Sequence, residues 1–187
     1  LKRQGARIDL WGVGTRLVTS YSTPALGGVY KLTALDENGR KMVPKIKRSD
    51  NPEKITNPGV KKLVRVFDRH GQMRGDVLFL EEEDLPRGRA FRVYHPMFAH
   101  VFKKYPRHFT TEELLVPVFQ NGELVYECPS LHRIREHTLA SLERLDDAYK
   151  RFHNPHTYHV SLSSKLFKTK QRLLKQAART VAQVSNS

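Results

Sequence analysis

Four residues near the start of the chain, Gly12, Val13, Gly14 and Thr15, have the types and order of an anion-holding loop. They follow a short apolar run at 6–11, read as a strand. Glycines at such a place let bare backbone amides approach a phosphate, with the Thr15 hydroxyl as a further donor. The same four residues also make an ordinary tight turn. Thr19, Ser20, Ser22 and Thr23 extend the loop into a hydroxyl-rich stretch, suited to a polar pocket or to a solvated loop. A second cluster, Lys41, Lys45, Lys47, Arg48, Lys54, Lys61 and Lys62, surrounds Asn51-Pro52 and Asn57-Pro58-Gly59. Lysines there can act as mobile point charges toward a pyrophosphate or nucleotide, or simply as solvated surface.

Two other patterns carry less chemistry. Aromatic and basic residues interleave from Phe91 through Arg92, Tyr94, Phe102, Lys103, Lys104 and Tyr105 to Phe109. Stacking plus cations is how single-stranded nucleic acid is held, but Pro96 and Pro106 interrupt a regular platform, and core packing is the expected use of these rings. His153, His156 and His159 repeat every third residue around Pro155 with no carboxylate nearby in sequence, which reads as a loop and assigns no metal. No nucleophile elbow, P-loop or catalytic carboxylate pair is present.

Composition limits the classes further. The 187 residues suffice for one domain or two small ones, and 39% hydrophobic content supports a folded core. The only cysteine, Cys128, has no internal partner, which favours a reducing compartment; no apolar run approaches a membrane span and the first residues lack a signal-peptide core, so a cytoplasmic, soluble protein is expected. Net charge is +14, and eight positive charges lie after Asp147, where no acidic residue follows. Most of the excess is thus confined to the tail, and pI alone says little about nucleic acid.

The elements that would position these residues can be read in order. The opening LKRQGA resembles the last turn of a helix stopped by Gly5, which suggests that an N-terminal part precedes it. Residues 29–127 are β-rich: alternating apolar segments at 29–35 and 41–46 flank Asn38-Gly39, those at 63–68 and 76–80 flank His70-Gly71, and those at 114–119 and 124–126 flank Asn121-Gly122. Pro44 and Pro117 mark edge strands. Ser130 caps a long helix whose apolar positions run from Leu131 to Phe152 and which Asn154-Pro155 ends. A second helix starts at Ser163 or Ser164 with Leu166, Leu173, Ala177 and Val181 along one side, and the final VSNS should fray.

Five strings together resemble, in order, the C-terminal part of the nicotinate phosphoribosyltransferases: QGARIDLWGVGTRLVTSYSTPALGGVYKL (4–32), NPEKITNPGVKK (51–62), GDVLFLEEED (75–84), ELLVPVFQNGELVYECPSL (113–131) and NPHTYHVSLSSKLFKTKQRLL (154–174). The resemblance implies an α+β chain: the end of an incomplete α/β-barrel catalytic domain at 1–40, then a β-hairpin-rich C-terminal domain with two terminal helices at 41–187. It implies a complete enzyme in which nicotinate attacks C1 of phosphoribosyl pyrophosphate, pyrophosphate leaves, and ATP hydrolysis with Mg is coupled through a phosphohistidine, on the way to NAD. Gly12, Val13, Gly14 and Thr15 match the loop that cups the ribose 5-phosphate. Lys45, Lys47, Lys54 and Lys61 fall in the region that approaches pyrophosphate or nucleotide, although KIKRSDNPEK is less acidic than the family's version. The phosphorylated histidine and the nicotinate clamp lie upstream of Gly12 in the family, so none of the histidines here takes that role and the chain alone is expected to be inactive and to bind no cofactor. The implied partners are nicotinate, phosphoribosyl pyrophosphate, ATP, the N-terminal part of the enzyme and a second copy, with neither nucleic acid nor membrane. Two alternatives stand beside this reading: a noncatalytic accessory domain used for dimerisation or partner binding, and a basic RNA-binding protein.

Overall fold

The structure is a computed structural model, and it describes residues 4–25 and 27–184. The expected helix end at 1–3 and most of the fraying VSNS lie outside these residues. Two compact units divide at Lys31/Leu32, and each is described separately.

In the first unit, Gly5 has φ of 85°, the left-handed conformation suited to a helix stop. The strand expected at 6–11 does not form: the segment is irregular, and Leu10 is 88% exposed. A strand exists only when its amides and carbonyls find a neighbouring strand, and the described residues of this unit supply none. The unit carries the four-residue helix α1, Thr15–Val18, entered through Gly14.

The second unit starts with the expected hairpin. Strands β1 (Ala34–Asp36) and β2 (Met42–Pro44) pair antiparallel around Gly39, whose φ of 66° meets the turn's demand. Both are shorter than the apolar runs that announced them. A six-stranded sheet follows, built from β3 (Lys61–Phe67), β4 (Met73–Leu80), β5 (Phe91–Tyr94), β6 (Phe102–Tyr105), β7 (Thr110–Glu113) and β10 (Val160–Ser163), in the order β6-β5-β10-β4-β3-β7. The β3–β4 hairpin turns where His70-Gly71 said it would. The strand expected at 114–119 is largely absent: β7 precedes it, and only its last residue, Phe119, joins the small hairpin β8 (Phe119–Gln120) and β9 (Glu123–Leu124). That hairpin turns on Asn121 and Gly122, both at positive φ.

Alternation sorts the side chains of β3 and β4. Val64, Val66, Val77 and Phe79 point to one face with Val93 and Tyr105, forming one core cluster; Leu80 and Leu162 join Leu166 of helix α3 (Ser164–Val184) in another. The interleaved aromatics of 91–109 supply packing: the Tyr105 ring lies 5.1 Å from Phe91 and 5.0 Å from Phe109. Strand β10 closes the sheet between β4 and β5, parallel to the first and antiparallel to the second. Helix α2 (Leu131–Glu143) starts at Ser130, as expected, but stops well before Asn154. There the Asp146 carboxylate accepts from the Ala148 amide at 2.9 Å and caps a separate turn, Asp147–Tyr149, so local side-chain bonding outcompetes helix continuation. No helix among the described residues is long and apolar enough to cross a membrane.

Candidate functional site

Gly12, Val13, Gly14 and Thr15 form an exposed loop leading into α1. Gly14 is the N-cap, with φ −97° and ψ 179°, and its carbonyl accepts from the Leu17 and Val18 amides at 3.1 and 3.3 Å. The amides of Gly12, Val13 and Gly14 donate to no described residue. A Cβ added at Gly12 or Gly14 would meet nothing within 4 Å, so the space over this backbone is open. Within its unit, the loop is an accessible run of amides with one hydroxyl.

The four candidate lysines belong to the second unit and are held differently. Lys45, just past β2, forms an ion pair with Glu37 across the first hairpin. The Lys47 amide donates to Thr56 Oγ1 at 2.8 Å, fastening the two arms of the lysine-rich loop. Lys54 ends the turn Pro52–Lys54, which Asn51 caps by accepting from the Glu53 amide at 2.9 Å. Lys61 opens β3 and donates to the Gly59 carbonyl, and burial pushes its pKa down. The structure thus ties Lys45 and Lys61 to neighbours within the loop.

Sequence reasoning passed over the residue that anchors this loop. Lys170 on α3 is only 4% exposed, and its ammonium donates at 2.9 Å to both Asn57 Oδ1 and the Pro96 carbonyl. Burial lowers its pKa. Read as one charge of a basic tail, it instead joins three segments, and the signal was present: the 166–170–173–177 spacing puts it on the same side as Leu166. Beside it a cleft of about 430 Å³ is lined by Lys41, Gly59, Lys165 and Arg172 together with Glu81 and Glu82. Lys165 and Glu82 pair at 3.3 Å, so the cleft's charges partly cancel. Gly59 has φ of 87°, and a Cβ there would come within 2.6 Å of Leu80, which fixes glycine at this turn.

A second polar knot lies on β3 and β4. Arg65 donates through Nε and Nη2 to the two oxygens of Asp76, each at 2.9 Å, and the Tyr158 hydroxyl donates to Asp76 Oδ1 at 2.9 Å. Those hydrogen bonds hold the Arg65 pKa above its usual value; burial and then the Asp76 charge push the Tyr158 pKa up. Asp76 is itself buried, so the carboxylate is satisfied inside the fold and serves as a structural tie. His153, His156 and His159 lie in the irregular segment before β10, and no group of three His, Cys, Asp or Glu among the described residues could hold a metal ion.

Residues 60–170 match the family model for the nicotinate phosphoribosyltransferase C-terminal domain. The chain belongs to that family. It is similar to the nicotinate phosphoribosyltransferase of Bacillus subtilis, 40% identical over 173 residues that make up 92% of this chain and 35% of that protein. The human nicotinate phosphoribosyltransferase is 35% identical over 167 residues, 89% of this chain and 30% of that protein. A crystal structure of human nicotinic acid phosphoribosyltransferase superposes with a TM-score of 0.60 at 29% identity, over 72% of this chain and 26% of the human one. The chain therefore spans about a third of the length of the curated relatives it matches. The mixed strand and helix architecture agrees with the expected C-terminal domain of this family.

Proposed function

We propose that this chain is the C-terminal portion of a cytoplasmic nicotinate phosphoribosyltransferase, the enzyme that joins nicotinate to phosphoribosyl pyrophosphate to give nicotinate mononucleotide and pyrophosphate in NAD salvage, with ATP hydrolysis coupled to the reaction. The observation that carries this reading is the family match across 60–170, extended by similarity at 40% identity over 92% of the chain. In the complete enzyme, residues 1–40 supply the last strand-loop units of an incomplete α/β barrel. Their apolar residues Leu10, Trp11, Val13 and Leu17 are exposed in this chain, as expected of strand-loop units whose sheet neighbours lie in other segments.

Gly12, Val13, Gly14 and Thr15 take the ribose 5-phosphate on their amides and on the Thr15 hydroxyl, a positioning role that places C1 for attack without proton transfer from this chain. Lys45, Lys47, Lys54 and Lys61 lend positive charge on the pyrophosphate or nucleotide side, and the contacts of Lys45 and Lys61 also shape their loop. The family's motifs for nicotinate, ATP with Mg and the phosphohistidine lie upstream of Gly12, so these groups belong to the rest of the enzyme. The working form is a homodimer.

The test joins this chain to the N-terminal portion of the Bacillus subtilis relative. The joined protein should form nicotinate mononucleotide, and Gly14→Val should weaken phosphoribosyl pyrophosphate binding far more than ATP binding, with thermal unfolding recorded to exclude misfolding. Unchanged affinity in folded Gly14→Val would reduce the loop to an ordinary turn.

A further inference from the structure

A buried ammonium usually faces a carboxylate, because neutral acceptors only partly offset the loss of water around a full charge. Lys170 departs from that rule. Its ammonium is sunk beneath α3 and donates at 2.9 Å to two neutral oxygens, Asn57 Oδ1 and the Pro96 carbonyl. Burial pushes its pKa down, and among the described residues no carboxylate pushes it back up. An apolar side chain would fill the same space at a lower desolvation cost. What the ammonium adds is direction, since its bonds fix where two acceptors stand.

Asn57 stands at the foot of the lysine-rich loop. That foot is closed where the Lys47 amide donates to Thr56 Oγ1 at 2.8 Å and the Thr56 amide donates to the Lys47 carbonyl at 3.4 Å. Thr56 and Pro58, on either side of Asn57, are buried. The other arm also reaches α3, where Arg48 Nη1 donates to the Ala177 carbonyl at 3.3 Å. Residues 170 and 177 are about two turns apart, or ~10 Å along the axis, so the loop is seated on the helix at two points. Pro96 belongs to the connection between β5 and β6, which ties the foot to the six-stranded sheet as well. Beyond it, the tip at 50–54 is exposed and ends in Lys54.

We propose that Lys170 is a positioning residue for phosphoribosyl pyrophosphate: through Asn57 it holds the loop at 47–57 so that the loop's cations meet the pyrophosphate group in one fixed arrangement. The proposal rests on the reading that this loop serves the pyrophosphate side of a nicotinate phosphoribosyltransferase. Lys170 itself touches no substrate. Cations on a wandering loop must be ordered when the anion binds, whereas a loop already tied to helix and sheet presents the same charges without that entropy cost.

Two variants break the tie from opposite sides: Lys170→Met keeps the stem and removes the ammonium, and Asn57→Ala removes the acceptor, so the second carries the test if the first fails to fold. In the 187-residue chain, amide hydrogen exchange across 47–57 should quicken about tenfold in each variant while β3 and β4 keep their rates. Unchanged loop exchange overturns the proposal. In the chain joined to the N-terminal portion of the Bacillus subtilis relative, each variant should raise KM for phosphoribosyl pyrophosphate about tenfold, with kcat and the KM for nicotinate nearly unchanged. The double variant should do no more than either single one, because the same tie is lost in all three. Leu166→Ala loosens α3 where it packs on Leu80 and Leu162; it should lower the unfolding temperature and leave KM for phosphoribosyl pyrophosphate in place. An equal rise in KM for Leu166→Ala, or additive losses in the double variant, would mean that Lys170 acts only by stabilising the helix and would overturn the proposal. Faster loop exchange with unchanged KM in an active joined protein overturns it too and leaves the functional reading standing. A folded joined protein without turnover refutes the functional reading, and the positioning role falls with it.

Discussion

Helices α3 and α2 begin alike, each behind a serine whose hydroxyl accepts an amide hydrogen bond, Ser163 from Leu166 at 3.0 Å and Ser130 from Arg133 at 3.4 Å. Beyond that first turn they part. Helix α3 buries Leu166 against Leu80 and Leu162, stacks Phe167 on Tyr94 at 4.3 Å, and sets Lys170 into two hydrogen bonds. Helix α2 buries nothing and is held at one end. The difference lies in what each helix meets. Strand β10 runs directly into α3 and is the middle of the sheet, so the helix folds back onto strands within the same 187 residues. For α2 the second unit supplies an anchor, the Arg144 carbonyl accepting from the Met73 amide at 2.8 Å, and a cavity of about 550 Å³. The same lesson applies to 6–11, where a sequence patterned as a strand stays irregular because the described residues of its unit offer no strand to pair with.

The largest effect is expected in the polar tie between β3 and β4. Arg65→Ala leaves Asp76 a buried carboxylate that has lost its countercharge and keeps the Tyr158 hydroxyl as a donor, and should cost about 3–5 kcal/mol in chemical denaturation; a cost near zero would mean that water reaches Asp76. Next, Leu166→Ala removes a fully buried side chain under α3 and should cost roughly 2–5 kcal/mol. Alkaline titration comes third. Burial pushes the Tyr105 phenol from 10.0 to about 12, so its contribution to stability is complete below pH 10 and is lost as pH rises through about 12, a change on the order of 3 kcal/mol. Tyr105→Phe should flatten that decline, and an unchanged alkaline slope would remove Tyr105 as its source. The smallest effect belongs to α2: Leu131→Ala in the chain alone should change stability by no more than about 0.5 kcal/mol. A cost comparable to Leu166→Ala would show that α2 is already packed and would end the contrast.

Local chemistry was legible in the sequence, and distant pairing was not. Asn38-Gly39, His70-Gly71 and Asn121-Gly122 each mark a real turn, because positive φ is a demand that one or two residues can meet. Ser130 and the start of α3 were legible for the same reason. Strand β10 was missed, since VSLS gains its identity only from β4 and β5, more than 65 residues earlier in the chain. The Arg65–Asp76 tie was within reach: once the β3–β4 hairpin is set, these residues face each other in register. Lys170 was hidden by its charge, because a basic tail invites a solvated reading and only the helical spacing contradicts it. Of the candidate site, the glycine loop and lysine stretch were legible as types of residue and as family strings, while the contacts that engage Lys45 and Lys61 depend on the fold.

As the C-terminal portion proposed above, this chain acts only together with the rest of a nicotinate phosphoribosyltransferase. The most direct test is nicotinate mononucleotide formation at saturating nicotinate, phosphoribosyl pyrophosphate and ATP, measured side by side on the purified 187-residue chain and on the chain joined to the N-terminal portion of the Bacillus subtilis relative. Turnover is expected from the joined protein and none from the chain alone. Turnover by the chain alone, or a folded joined protein that makes no product, would contradict it.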